Sequence, residues 1–380
     1  MHALVLGAGF GGIAAALELR RLLPAGGRVT LVDEGATFRM GLGNLWLLDG
    51  RRRVGEGSRP LARLARHGIE VVRGRVEAID PQARVATVAG RRVAADGLVV
   101  ALGAQLAPEA TPGFREAHNL YEEAGAAAIG EALHGVADGG RVLVQVCGLP
   151  FKCPPAPYEA ALLAAAVLRR RGVAAEVHLA TPEPHPLPVA PPEAGANLLP
   201  LLLRAGVRYH PGRRVRRFVA GGVEWEGGEA DRFDLMAAVP VHKAPDVVAA
   251  AGLAGASGFV DVEAGSLRTR FPRLHAVGDV CAIPLPNGKM MPKAGVLAEG
   301  QGRAAARHLA ADLLQGGAAA PFDGRGACFI ELGGGEAVLA EGEFLAAPQP
   351  RFTFRPASPE GLRLKEAFET ERLEGWFGPA

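Results

Sequence analysis

Short apolar runs alternate along the chain with stretches in which apolar residues recur every three or four positions. Ala3-Leu4-Val5-Leu6 reads as a buried strand, Gly11 to Leu23 as a helix, Arg28 to Val32 as a strand, Pro60 to His67 as a helix and Glu70 to Arg73 as a strand. That rhythm predicts a parallel sheet. Gly74 to Asp80 and Ala83 to Val88 then look like a β-ribbon, and Gly97 to Leu102 like a further buried strand. A second cycle opens at Arg141 to Val146 and continues through a helix at Tyr158 to Arg171, a strand at Ala175 to Ala180, a helix at Glu193 to Ala205 and a strand at Arg208 to His210. The chain is therefore expected to be α/β, built from two similar halves.

Composition narrows the class. With 380 residues, 49% of them apolar and 22% charged, the chain has ordinary globular usage and room for two or three domains. Its 42 basic and 40 acidic side chains balance to +2, which gives no electrostatic footprint for nucleic acid. Cysteines stand only at 147, 153, 281 and 328, too few for a secreted disulfide framework and without a C-x-x-C metal pair, so no metal site is read. A disulfide here would be catalytic rather than structural. Neither a secretory signal nor a bilayer-spanning apolar run is read, so the expected location is cytoplasmic or peripheral to a membrane.

The first chemical motif is Gly7-Ala8-Gly9-Phe10-Gly11-Gly12, a G-x-G-x-x-G between strand and helix, with Asp33 at the end of the next strand. Gly7 permits the tight turn, Gly9 lets the backbone approach a pyrophosphate, and Gly12 allows close helix-to-sheet packing. The helix N-terminus offers free N–H groups to phosphate and Asp33 can accept from a ribose. FAD and NAD share this fingerprint. Two later strands end in small-residue turns, at Ala101-Leu102-Gly103 and at Ala276-Val277-Gly278-Asp279.

With these segments the sequence resembles the flavoproteins that carry two dinucleotide-binding domains. The resemblance implies two Rossmann-like domains plus a small C-terminal α+β region. Residues 1–106 and 244–318 would form a discontinuous FAD-binding domain, 107–243 a second Rossmann-like domain and 319–380 a C-terminal region. It also implies that Gly103 and Gly278 let the backbone approach the cofactor and that Asp279 binds its ribityl chain. Leu102 departs from the family pattern, which usually has Thr there.

In the second half, the strand Arg141 to Val146 runs into Cys147-Gly148-Leu149-Pro150-Phe151-Lys152-Cys153-Pro154-Pro155-Ala156-Pro157 rather than into glycines. Proline has no N–H to offer a phosphate, so NAD(P)H binding is disfavoured. The string from Pro150 to Glu159 resembles the reactive-cysteine segment of the sulfide-oxidising flavoproteins. These are the sulfide:quinone oxidoreductases and the flavoprotein subunit of flavocytochrome c sulfide dehydrogenase. That resemblance implies a redox-active pair of Cys153 with Cys328, with Glu159 as proton acceptor, and hydrosulfide or another small sulfur compound as substrate. Electrons would pass through FAD to a quinone or a cytochrome.

Lys152 would favour the Cys153 thiolate electrostatically, and Lys293 would stabilise the reduced flavin. Met40 stands where the flavocytochrome subunit has its linking cysteine, so FAD is expected to be non-covalent. No third cysteine falls in the stretch 117–121, which implies a two-cysteine mechanism. Cys147 and Cys281 read as packing residues. The tail after Phe352 mixes apolar residues with mostly acidic charge, unlike a basic membrane anchor. A helix covering the flavoprotein, peripheral membrane contact and a homodimer all stay open. Two rival functions remain: a type II NADH dehydrogenase-like flavoprotein, and a non-catalytic flavin redox sensor or partner subunit.

Overall fold

The computed structural model describes residues 1–190 and 192–379. Five parallel strands, in spatial order Leu274–Ala276, Gly97–Val100, His2–Leu6, Arg28–Asp33 and Glu70–Arg73, form the first sheet. The inner strands are buried and mostly apolar on both faces, as a sheet covered on both sides requires, while the edge strand Glu70–Arg73 is half-exposed. Helix Phe10–Leu22 crosses helix Gly295–Leu314 at very short range. Glycine makes that possible, because a Cβ on Gly302 would overlap the Gly11 carbonyl oxygen.

The expected ribbon has three strands, Val76–Asp80, Val85–Val88 and Arg91–Ala94. The third follows a tight turn in which Ala89 and Gly90 both have positive φ, the geometry of a two-residue hairpin. The segment read as a helix from Pro60 to His67 is instead a strand pair of Arg59–Pro60 with Thr37–Phe38, followed by a 3₁₀ helix over Leu61–His67. Arg59 and Pro60 are held in extended pairing, and Gly68, left-handed at φ 74°, ends the run.

The second half repeats the design, with parallel strands ordered His118–Asn119, Leu235–Val239, Arg141–Val146, Glu176–Thr181 and Val207–Pro211. Helices Glu123–Gly135, Ala156–Arg170 and Pro192–Arg204 accompany it. Each sheet has its own apolar core. The chain leaves the first sheet and returns through Gln105–Ala107 and Val241–Lys243, which pair antiparallel with each other. The chain thus has the expected α/β fold with two Rossmann-like sheets.

The last part is a three-stranded antiparallel sheet of Arg325–Glu331, Ala337–Glu343 and Arg351–Ser358, followed by helix Pro359–Phe377. The Ser358 hydroxyl caps that helix by accepting the Gly361 N–H at 3.1 Å. The helix lies on the body. Trp376 stands edge-on to Phe10 and Phe38 at 5.6 and 5.4 Å, and Phe377 stacks on Phe38 at 5.8 Å. Among the described residues no helix is long and apolar enough to cross a membrane.

Candidate functional site

The fingerprint turn is a cradle with one open position. Gly7 has φ 101° and a Cβ there would strike the Ala101 carbonyl, while a Cβ on Gly12 would strike the carbonyl of Gly7. A Cβ on Gly9 would meet nothing within 4 Å, so space is left free at the start of helix Phe10–Leu22, where a phosphate needs it. Asp33 holds the turn itself, accepting the Ala8 N–H at 2.7 Å and the Gly35 N–H at 2.8 Å.

The Gly-Asp turn converges on the same side. Gly278, at φ 79°, donates its N–H to the Gln301 side chain at 2.7 Å, and Gly103 is left-handed at φ 66° with open space at its Cβ position. The Asp279 carboxylate has no hydrogen-bond partner among the described residues, and burial raises its pKa against the opposing charges of Lys293 and Lys152. A small cavity lies beside it, lined by Cys281, Met291, Lys293 and Gln301. Lys293 is buried rather than solvated. Its ammonium donates to the carbonyls of Asp279 at 2.5 Å and Cys281 at 3.1 Å and sits 3.5 Å from the Phe259 ring centroid. Burial brings it down to about 8, opposed by Asp279. An open phosphate position, a tight glycine turn and a half-buried carboxylate without a hydrogen-bond partner among the described residues fit a dinucleotide. Met40 is a fully buried core residue.

Cys153 lies just ahead of helix Ala156–Arg170, in the left-handed conformation at φ 52°. For a residue with a side chain such a backbone costs on the order of 1 to 3 kcal/mol and must be held by its surroundings. Three contacts hold it. The Cys153 N–H donates to the Lys293 carbonyl at 2.7 Å, and the Ala156 N–H donates to the Cys153 carbonyl at 2.9 Å. The Tyr121 hydroxyl donates to the carbonyls of Lys152 at 2.7 Å and Cys153 at 3.2 Å. Cys153 is solvent-exposed, although protein crowds its sulfur.

Cys328 stands on strand Arg325–Glu331, opposite Ala340, and all four cysteines are free thiols. Burial pushes the Cys153 thiol up to about 12, and Cys328 and Glu159 push the same way against Lys365 and the Ala156 N–H. Burial and then Glu159 push Cys328 up to about 11. The fold therefore brings Cys153, Cys328 and Glu159 within electrostatic reach of one another. The cation that opposes the rise at Cys153 is Lys365, while the charge of Lys152 acts on His242 and Asp279.

Lys365 is the residue sequence reasoning missed. It is 2% exposed, between Glu159 at 3% and Glu331 at 1%, and its ammonium bonds both carboxylates, Glu331 at 3.0 Å. Trp46 donates its indole N–H to Glu331 at 3.0 Å, and Arg51 closes the chain of charges toward solvent. Burial raises the Glu159 pKa while Lys365 opposes the rise, and the two carboxylates together keep Lys365 above its ordinary value despite burial. The available signal was scarcity, since lysine occurs only at 152, 243, 289, 293 and 365.

At the carboxyl edge of the second sheet the Tyr158 hydroxyl donates to Glu183 at 2.5 Å and Thr181 to the same oxygen at 3.2 Å. Tyr158 and Glu183 are buried, and burial raises Glu183 to about 7. Cys281 is buried in the first core, while Cys147 packs beside Leu143 and Phe218. Among the described residues no group of three or more His, Cys, Asp or Glu gathers as a metal site.

Comparison with known proteins fits this geometry. The family model of the pyridine nucleotide-disulphide oxidoreductases matches residues 1–138. The model of the central part of the sulfide dehydrogenase [flavocytochrome c] flavoprotein chain matches residues 126–185, which include Cys153 and Glu159. A sulfide-quinone reductase of Aquifex aeolicus is 27% identical over 348 residues, covering 82% of this chain and 76% of its own. The solved structure of the sulfide:quinone oxidoreductase from that bacterium superposes with a TM-score of 0.88 at 25% identity, over 99% of this chain and 91% of its own.

In sequence and in fold the chain is similar to the sulfide-oxidising flavoproteins.

The mitochondrial sulfide:quinone oxidoreductase of Mus musculus is 24% identical over 375 residues, covering 92% of this chain and 80% of its own. These likenesses indicate a FAD-dependent oxidoreductase. The cradle at Gly9 and Asp279 is chemically suited to that cofactor, and Met40 supplies no covalent link to it.

Proposed function

We propose that this protein oxidises hydrosulfide through a redox pair of Cys153 and Cys328 and delivers the electrons to a quinone. The observation that carries the reading is that two cysteines, 175 residues apart in sequence, both fall within electrostatic reach of one buried carboxylate, Glu159. In this reading residues 1–106 and 244–318 hold FAD through Gly7, Gly9, Gly12, Asp33, Gly103, Gly278, Asp279 and Lys293. Residues 107–243 supply Cys153 and no nucleotide site, and residues 319–380 supply Cys328.

The chemistry follows from the environments. Hydrosulfide attacks the Cys153 sulfur of the disulfide, the more accessible of the two, forming a persulfide there and releasing the Cys328 thiolate. A second hydrosulfide takes the outer sulfur as HSS⁻ and leaves a dithiol, so two hydrosulfides give one HSS⁻, one proton and two electrons. Glu159, beside both cysteines and paired with Lys365, accepts that proton. FAD, when bound, takes the two electrons from the cysteine pair and passes them to the acceptor. Phe329, next to Cys328, stands edge-on to Phe368 at 6.0 Å, and this apolar wall supports a quinone rather than a charged acceptor. The likeness to a sulfide-quinone reductase and to a mitochondrial sulfide:quinone oxidoreductase supports it too.

An NADH-using rival would need a nucleotide crevice in the second half. There Tyr158 and Glu183 are buried against each other, and the preceding turn carries prolines. Anaerobic addition of sulfide, with flavin absorbance followed, tests the reading. Sulfide should bleach the flavin and a short-chain quinone should restore it, while NADH should act far more slowly. Rapid bleaching by micromolar NADH, or none by sulfide, would overturn it.

A further inference from the structure

The left-handed Cys153 is the most constrained point of the site, and one of its three holds comes from a side chain far away in sequence. The Tyr121 hydroxyl has a single hydrogen, shared between the carbonyls of Lys152 at 2.7 Å and Cys153 at 3.2 Å. Pro154, Pro155 and Pro157 follow the cysteine and have no N–H, so local backbone donors are scarce just where two carbonyls need them.

Tyr121 is itself fixed. Its N–H donates to the Asn119 side chain at 3.0 Å, at the end of strand His118–Asn119, which pairs with Leu235–Val239. Its ring stands edge-on to His242 at 5.5 Å, and His242 is anchored on the Pro240 carbonyl at 2.8 Å. The hydroxyl remains a donor at any working pH, because burial and the nearby Cys153, Glu183 and Asp279 hold its pKa well above the usual phenol value.

We propose that Tyr121 is a positioning residue: its hydroxyl clamps the Lys152-Cys153 carbonyls and so holds the Cys153 sulfur toward Cys328. The N–H of the same cysteine is held by the Lys293 carbonyl, so the loop is gripped from both sides. With the Tyr121 grip gone the backbone relaxes toward ordinary φ, and the sulfur leaves its aligned position for solvent. This assignment rests on the sulfide-oxidising reading above for its consequence on turnover, but not for its consequence on the thiol.

The test is Tyr121→Phe, which removes one oxygen and keeps the ring on His242. In the FAD-loaded, dithiothreitol-reduced protein, iodoacetamide should label Cys153 about fivefold faster than in the wild type, as loss of one hydrogen bond allows, with Cys328 labelling unchanged. Amide exchange in the peptide spanning residues 150–156 should quicken, and FAD affinity should stay within about twofold of wild type, since no cofactor contact is touched. Sulfide-dependent flavin reduction should fall about tenfold, through kcat rather than KM, because geometry and not substrate binding is lost. Wild-type Cys153 labelling and exchange rates would overturn the assignment. So would equal acceleration at Cys328 together with FAD loss, which would mark general loosening. If wild-type flavin is not reduced by sulfide at all, the functional reading falls, while the labelling comparison still decides the role of Tyr121.

Discussion

Lys365 and Glu159, 206 residues apart in the chain, form a buried ion pair beside the two cysteines. The helix Pro359–Phe377 exists in this position to deliver that ammonium: its buried face consists of Lys365, Glu369, Leu373, Trp376 and Phe377. Glu369 in turn takes both guanidinium nitrogens of Arg52 at 2.6 Å. The tail is thus bolted to the body by charge in its first half and by aromatic rings at its end.

Removing that cation should be costly. In Lys365→Met, Glu159 and Glu331 remain buried with no ammonium between them, and breaking a buried pair from one side costs about 3 to 5 kcal/mol. The pH dependence has a definite sign. The folded-state pKa of Glu159 is already raised by burial, so its contribution favours folding at low pH and is lost as pH rises through the folded value. Without Lys365 the rise is larger, so the variant's deficit should be greatest at alkaline pH and shrink on acidification. Thermal unfolding across pH measures this; a deficit independent of pH would contradict it.

The pKa directions also govern the thiols. Cys153 stands at about 12 and Cys328 at about 11, so in the reduced protein both are neutral near pH 7. Only the thiolate is alkylated, and its fraction grows about tenfold per pH unit well below the pKa. Iodoacetamide labelling of each cysteine, followed by mass spectrometry, should climb steadily from pH 7 to pH 10. A plateau near pH 7 would mean a stabilised thiolate instead.

The parts of the site that were legible in the sequence are those whose chemistry is local. Gly7, Gly9, Gly12 and Asp33 lie within one strand, turn, helix and strand, and the spacing carries the geometry. The Cys153 segment is compositionally unusual enough to be recognised as a string. The ion cluster was not legible, because Glu159, Glu331 and Lys365 come from a helix, a sheet strand and the terminal helix. No periodicity flags them. The terminal helix was also obscured by its own buried face: Lys365 and Glu369 point inward, so the apolar stripe that marks a packed helix is interrupted by charge. Tyr121 lies in the stretch 117–121, which carries no cysteine, and its contribution is a hydroxyl that no local motif marks.

The cofactor cradle makes a separate prediction. Gly9 is the position where added side-chain atoms meet no protein, and this is the space assigned to the pyrophosphate. Gly9→Val should therefore fold, judged by circular dichroism, yet lose FAD, whereas Gly12→Val should destabilise the fold itself because a Cβ strikes the Gly7 carbonyl. Wild-type protein should release its flavin on acid precipitation. Yellow colour in the pellet would contradict non-covalent binding.

The four cysteines provide the sharpest test of the mechanism, because the structure gives them different surroundings. Cys153→Ser and Cys328→Ser should each lower sulfide-dependent flavin reduction by several orders of magnitude, and the double variant should be little worse, since the two act as one unit. Cys281 is buried in the first core, with burial raising its thiol pKa. Cys281→Ser should therefore keep most activity while unfolding at lower temperature, for a hydroxyl there replaces an apolar contact. Cys147→Ser should be milder still, because Cys147 is only half-buried where Cys281 is buried. Glu159→Gln should fall between the groups, with a loss of roughly 10² to 10⁴ characteristic of a proton acceptor. Stopped-flow reduction by sulfide ranks all six variants. A Cys281 or Cys147 variant as inactive as Cys153→Ser would move the reactive pair, and an additive double variant would separate Cys153 from Cys328.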